Sequence, residues 1–96
     1  MYANVVTFQG DPARLQSMGD YFREHVLPTL RAQAGFQGVT TLLQRDSGKM
    51  IGISFWESEH AANTAVAAIS QLASEGATTV GATTPTRELF EVLAKV

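Results

Sequence analysis

The stretch VTTLLQRDSGKMIGISFWESEH, residues 39–60, contains the change of pattern on which the fold turns. VTTLLQR (39–45) and KMIGISFW (49–56) are rich in β-branched and apolar residues that suit a pleated, half-buried surface. Asp46, Ser47 and Gly48 separate them, with glycine where a positive φ is needed, so the two runs predict a β-hairpin. In the second strand Ile51, Ile53 and Phe55 alternate with Met50, Gly52, Ser54 and Trp56, so both faces of the sheet carry apolar side chains. From Ser58 the period lengthens: Ala62, Ala65, Val66, Ile69, Leu72 and Ala73 make the narrow stripe of an amphipathic helix. Ser58 is placed to cap that helix through its hydroxyl, and the small stripe residues let it lie close on a sheet.

Upstream, ANVVTFQ (3–9) reads as a first strand closed by Gly10. Asp11 and Pro12 then offer an N-cap followed by proline at the first helical position, where its missing N–H costs nothing. Leu15, Met18, Phe22, Val26 and Leu30 recur at three- and four-residue spacing along a long helix. Pro28 falls inside this stripe and predicts a kink there, and Gly35 and Gly38, bracketing Phe36, stop the helix. Downstream, Gly76 is expected to end the second helix, and GATTVGATT (76–84) reads as a surface loop of small residues, with a lid as the alternative. RELFEVLAK (87–95) supplies a last strand.

The order of elements is therefore βαββαβ, an α+β, ferredoxin-like plan with a four-stranded antiparallel sheet. Right-handed crossovers put both helices on one face. The other face, expected to expose Val, Leu, Met and Trp, would be a large apolar patch, and two such sheets packed face to face in a symmetric homodimer would cover it.

At 96 residues the chain has room for one core, and we read residues 1–96 as a single domain. Apolar residues are 45% and charged ones 17%, too apolar a balance for a disordered chain. The net charge of −2, with seven basic residues scattered along the sequence, provides no stripe to neutralise phosphates, so nucleic acid is excluded as a partner. There is no cysteine, hence no disulfide framework, thiolate metal site or cysteine nucleophile. Two histidines without clustered carboxylates give too few ligands for a metal. No apolar run is long enough to span a membrane and no signal segment opens the chain, so the expected location is the cytoplasm.

Three stretches, ANVVTF (3–8), HVLPTLRAQAGFQG (25–38) and FWESEHAA (55–62), resemble the antibiotic biosynthesis monooxygenase (ABM) family of dimeric α+β barrels. The likeness extends to about Gly76, and its specific marks are Trp-Glu-Ser at 56–58 and Gly-Phe-x-Gly at 35–38. The resemblance implies a homodimer with a cleft between sheet and helices. Relatives in that family include cofactor-free oxygenases of aromatic polyketide intermediates, haem-degrading enzymes and quinol oxygenases. Carried over residue by residue, Trp56 matches the family's strand-end Trp, and Asn4 resembles the first-strand Asn of the haem-degrading branch. That branch ligates iron with a His further along the second helix; here no His follows His60, and the corresponding face holds Ala65, Val66 and Ile69, so haem is disfavoured and no cofactor is expected. The polyketide-oxygenase branch has an Asn one strand turn before its Trp and a Tyr on the second helix, which are Gly52 and Ala62 here.

On this resemblance Tyr21, Phe22, Asn4 and Trp56 are candidates to bind a small apolar or aromatic molecule, and His60 and His25 are candidates to act as base. Each has a plainer reading: Trp56 as a core or interface residue, His60 as a solvent-exposed residue at a helix start, Ser58 with Glu57 and Glu59 as the entry to a helix. Two functions remain open: a cofactor-independent monooxygenase acting on a small aromatic, enolisable substrate, and a non-catalytic dimeric module that binds a small molecule or serves a stress-related role. The first predicts a pocket into which Trp56 and at least one histidine point.

Overall fold

The two β-branched runs pair as an antiparallel hairpin and make half of a four-stranded sheet in the computed structural model. It describes residues 1–79 and 86–95 and, within them, the side chains other than those of Leu15 and residues 71–79. The strands are β1 (Tyr2–Gln9), β2 (Phe36–Gln44), β3 (Lys49–Trp56) and β4 (Thr86–Glu91), in the order β2-β3-β1-β4, with every neighbouring pair antiparallel. This is the expected α+β ferredoxin-like arrangement. At the hairpin turn Gly48 has φ 76°, and its carbonyl accepts the Gly10 N–H at 2.8 Å. A β-carbon on Gly48 would collide with the Gly10 carbonyl, so the turn needs glycine for both conformation and space.

The first crossover is a continuous helical run with changing pitch: a 3₁₀ turn (Pro12–Arg14), α1 (Leu15–Tyr21), a turn of π geometry (Phe22–Val26) and α2 (Leu27–Arg31). Asp11 Oδ1 accepts the Ala13 N–H at 2.9 Å, the cap that Asp-Pro predicts. The disturbance expected at Pro28 lies in the turn before it. Proline cannot donate to the carbonyl four residues back, and the Leu27 N–H reaches five residues back to Phe22, widening that turn without ending the helix.

Gly35, at φ 84°, turns the chain into β2, which consequently begins at Phe36, three residues before the expected Val39. Its carbonyl accepts the Glu57 N–H at 2.9 Å, and a β-carbon there would stand 2.7 Å from the β-carbon of Ala61. Gly38 follows at φ 147°, where the β2–β3 register slips between Phe36 and Gly38. The Gly-Phe-x-Gly motif thus seats the first crossover against the start of the second helix.

That helix, α3 (Glu59–Thr79), starts where expected: Ser58 Oγ accepts the Ala61 N–H at 3.1 Å. It ends later than expected. Gly76 does not stop it, since a glycine inside a helix costs about 1 kcal/mol without breaking the ladder, and the helix runs on to Thr79. The remainder of the expected loop or lid, residues 80–84, lies outside the described residues. The last strand is shorter than RELFEVLAK: after Glu91 one more bond, from the Val92 N–H to the Met1 carbonyl at 2.9 Å, closes the ladder, and Lys95 lies with its ammonium 5.2 Å above the Phe55 ring.

The strand pairing assigns the two faces. Tyr2, Asn4, Val6 and Phe8 on β1 and Met50, Gly52, Ser54 and Trp56 on β3 lie beneath the helices. Val5, Ile51, Ile53 and Phe55 lie on the opposite face with Leu42 and Phe90, which are 49% and 48% exposed. The expectation that Met and Trp would lie on the open face is thus corrected: Met50 and Trp56 are covered, and the open face is built of Val, Ile, Leu and Phe. Period-two alternation separates the sets but leaves open which of them meets the helices.

Candidate functional site

The helices and the sheet meet tightly at one end. Trp56 is 0% exposed, with its ring edge-on to Phe36 at 5.5 Å, among the buried Val26, Leu30, Ala61, Ala62 and Ala65. The alanines bring α3 close enough to leave the indole no gap. At the other end Met18 and Met50 are buried against Phe8. Between the two ends a cavity remains under the first helix, with about 700 Å³ of empty space, its solvent-open mouth included.

Gly52 leaves part of that space open: a β-carbon added there would meet nothing within 4 Å. The small Ser54 follows on the same face. Val6 and Phe8 from β1, Val39 and Thr41 from β2, and Met50 extend the floor. The first helix supplies the roof with Met18, Tyr21, Phe22, Val26 and Leu30, its π turn carrying Phe22 and Val26, and α3 adds Ile69. The lining is aromatic and aliphatic with three hydroxyl-bearing residues, Tyr21, Thr41 and Ser54, a composition typical of sites for small apolar ligands.

Of the residues singled out from sequence, Tyr21 and Phe22 line the cavity. Trp56 does not; it stands behind the lining and donates its indole N–H to Ser54 Oγ at 2.9 Å. Asn4 is also absent from the lining. It is 2% exposed and joins three elements: its Nδ2 donates to the Ala62 carbonyl at 3.0 Å, and its Oδ1 accepts from Arg87 Nε at 2.9 Å and Nη2 at 2.6 Å. The same Arg87 Nη2 donates to Asn63 Oδ1 at 2.9 Å, so Asn4 ties β1 to α3 and β4.

His25 is exposed, its ring 4.7 Å from that of Tyr21 and its Nε2 4.0 Å from the Glu24 carboxylate. His60 is exposed in the first turn of α3, off the stripe of Ala61, Ala62 and Ala65 that faces the core. The prediction that Trp56 and a histidine would point into the pocket is therefore not met: neither histidine lines it, although the His25 ring lies against that of Tyr21, which does. Sequence reasoning passed over Ser54 and Thr41. For Ser54 the signal was present, since residues 52, 54 and 56 alternate onto one face and Trp56 had already been singled out.

Among the described residues no group of three or more His, Asp or Glu side chains could hold a metal ion, and no helix is long and apolar enough to cross a membrane. The fold is shared with solved structures at low sequence identity. A monooxygenase from the gene ActVA-Orf6 of Streptomyces coelicolor, solved in complex with nanaomycin D, matches with a TM-score of 0.78 at 22% identity over 99% of this chain and 89% of that one. SnoaB, a cofactor-independent oxygenase from Streptomyces nogalater, matches at 0.67 and 24% identity over 99% and 95%. A MhuD variant with two manganese protoporphyrin IX molecules bound per active site matches at 0.78 and 21% identity over 100% and 98%. At these identities the likeness is one of fold. No curated protein matches the sequence. The family is decided by the sequence model for antibiotic biosynthesis monooxygenase, which matches residues 1–69 and so spans both marker motifs and every residue that lines the cavity: the chain belongs to that family.

Proposed function

We propose that the cavity between the first helix and the sheet binds a small aromatic, enolisable molecule, and that the chain oxygenates it without a resident cofactor. The cavity, walled by Tyr21, Phe22, Phe8 and aliphatic side chains and supplied with few polar groups, carries the binding part of this reading, and membership of the monooxygenase family supports the oxygenation. Removing a proton from a CH₂ conjugated through the ring with a ligand carbonyl leaves an enolate that dioxygen can oxidise directly: the CH₂ carbon becomes a carbonyl carbon, and the second oxygen atom leaves as water with the two hydrogens of the CH₂. His25, in ring contact with the cavity residue Tyr21, is the candidate base on this reading. His60 is the more remote candidate. Trp56 acts on the ligand only through Ser54, and Asn4 ties β1 to α3 and β4 outside the lining.

Haem fits the lining poorly. The helix face that would carry an imidazole ligand contributes Ile69 to the cavity, and no histidine lines it. We therefore assign haem no step.

The open face supports a homodimer, because Val5, Leu42, Ile51, Ile53, Phe55 and Phe90 form an apolar surface of the kind two sheets cover by packing together. A dimeric mass at micromolar concentration is expected in sedimentation, and a monomeric one would remove this part of the reading.

Oxygen consumption measured with anthrones tests the catalytic part. The expected result is uptake of one dioxygen per anthrone with formation of the quinone, reduced by His25→Ala. A second reading, a dimeric module that binds without catalysis, is favoured by one observation: both histidines stand outside the lining. Binding of the anthrone with no oxygen uptake above the uncatalysed rate would select it.

A further inference from the structure

Ser54 is 8% exposed and lines the cavity from its floor. Its hydroxyl oxygen accepts the Trp56 indole N–H at 2.9 Å. An indole nitrogen can only donate, so the serine oxygen is necessarily the acceptor, and the single hydroxyl hydrogen is left to donate elsewhere. Trp56 is fully packed and set edge-on against Phe36, so the indole cannot turn away, and the rotation of the serine hydroxyl is restricted in consequence. The hydroxyl belongs to a cavity with few other polar groups, and a ligand that brings an oxygen to it takes the place that water otherwise fills.

We propose that Ser54 is the ligand-positioning residue of this cavity, donating its hydroxyl hydrogen to a carbonyl or enolate oxygen on a ring compound, with Trp56 holding the serine in place. This rests on the reading that the cavity takes a small aromatic molecule. It adds which atom of the ligand is recognised and gives the strand-end Trp a role that does not require it to touch the ligand. A donor fixed at that oxygen also favours the enolate, where negative charge develops, over the ketone.

1-Tetralone and tetralin share a carbon skeleton and differ in the carbonyl oxygen, so calorimetric titration of the pair isolates the contact. The wild-type protein is expected to bind tetralone roughly three- to tenfold more tightly than tetralin, the range one hydrogen bond supplies. Ser54→Ala is expected to lose that preference with tetralin affinity kept, Ser54→Thr to retain it, and Trp56→Phe to weaken it. The infrared carbonyl stretch of bound tetralone should fall below its position in an apolar solvent in the wild type and return toward it in Ser54→Ala, a signature that a purely structural serine, with Tyr21 or Thr41 as the donor, would not produce. An unshifted stretch, equal wild-type affinities, or a preference that survives Ser54→Ala would overturn the proposal while leaving the cavity reading intact. Failure of both compounds to bind the wild type would overturn the two together.

Discussion

Around Trp56 the space between helices and sheet is filled, whereas two and four residues earlier on the same face of the same strand, at Ser54 and Gly52, it opens into a cavity. Both regions lie along one strand, β3, with the first helix over both and α3 packed against the filled end. The difference is where volume is supplied. At the filled end the largest side chain in the sequence meets alanines, whose small size lets α3 approach. At the hollow end a glycine and a serine face a helix whose π turn holds Phe22 and Val26 over them, and nothing from the sheet rises to meet these side chains. A small residue closes the gap where a helix can move in, as Ala61, Ala62 and Ala65 do, and leaves a gap where the helix is held by packing elsewhere.

The contrast can be broken most forcefully at its filled end. Trp56→Ala removes a fully buried indole from a site where α3 is already as close as its alanines allow, and a loss of about 3–5 kcal/mol is expected in urea denaturation. A loss below about 1 kcal/mol would mean that this end is packed no better than the other. Asn4→Ala deprives the Ala62 carbonyl and the Arg87 guanidinium of a shared partner, and about 1–3 kcal/mol should be lost, together with faster amide exchange along β4. Ser58→Ala removes the cap that starts the alanine face; about 1 kcal/mol is expected, with fraying confined to the first turn of α3 in exchange measurements. The smallest change in stability belongs to the hollow end. Gly52→Val puts a β-branched residue into a strand interior where there is room for it, so stability should be unchanged or rise by up to about 1 kcal/mol, while tetralone binding is lost because the cavity floor is filled. Destabilisation of several kcal/mol at Gly52 would show that the two ends are equally tight.

Local chemistry made several elements readable. The turn at Gly48, the Asp11 cap and the Ser58 cap follow from backbone groups that need a particular φ or acceptor within a few residues. Pro28 was readable as a disturbance, but its position was not: the ring acts on the preceding turn, and whether that turn breaks, bends or widens depends on what packs against it. Gly76 was misread for the opposite reason, because a single glycine costs a helix little and tertiary packing decides whether the helix stops. The candidate site was less readable. Tyr21 and Phe22 reached the cavity, while Asn4 proved to be bonded to Ala62 and Arg87, the latter a contact between residues 83 apart that no spacing rule shows.

The sequence alone determined the succession of strands and helices, the turn and cap positions, and the family, since each rests on patterns a few residues long or on a motif match. Only the tertiary structure decided which face of the sheet the helices cover, that Trp56 is packed behind Ser54 and is not part of the pocket wall, and that both histidines stand outside the lining. Those outcomes depend on how volumes from distant segments add up between two layers, and a cavity is the remainder of that sum.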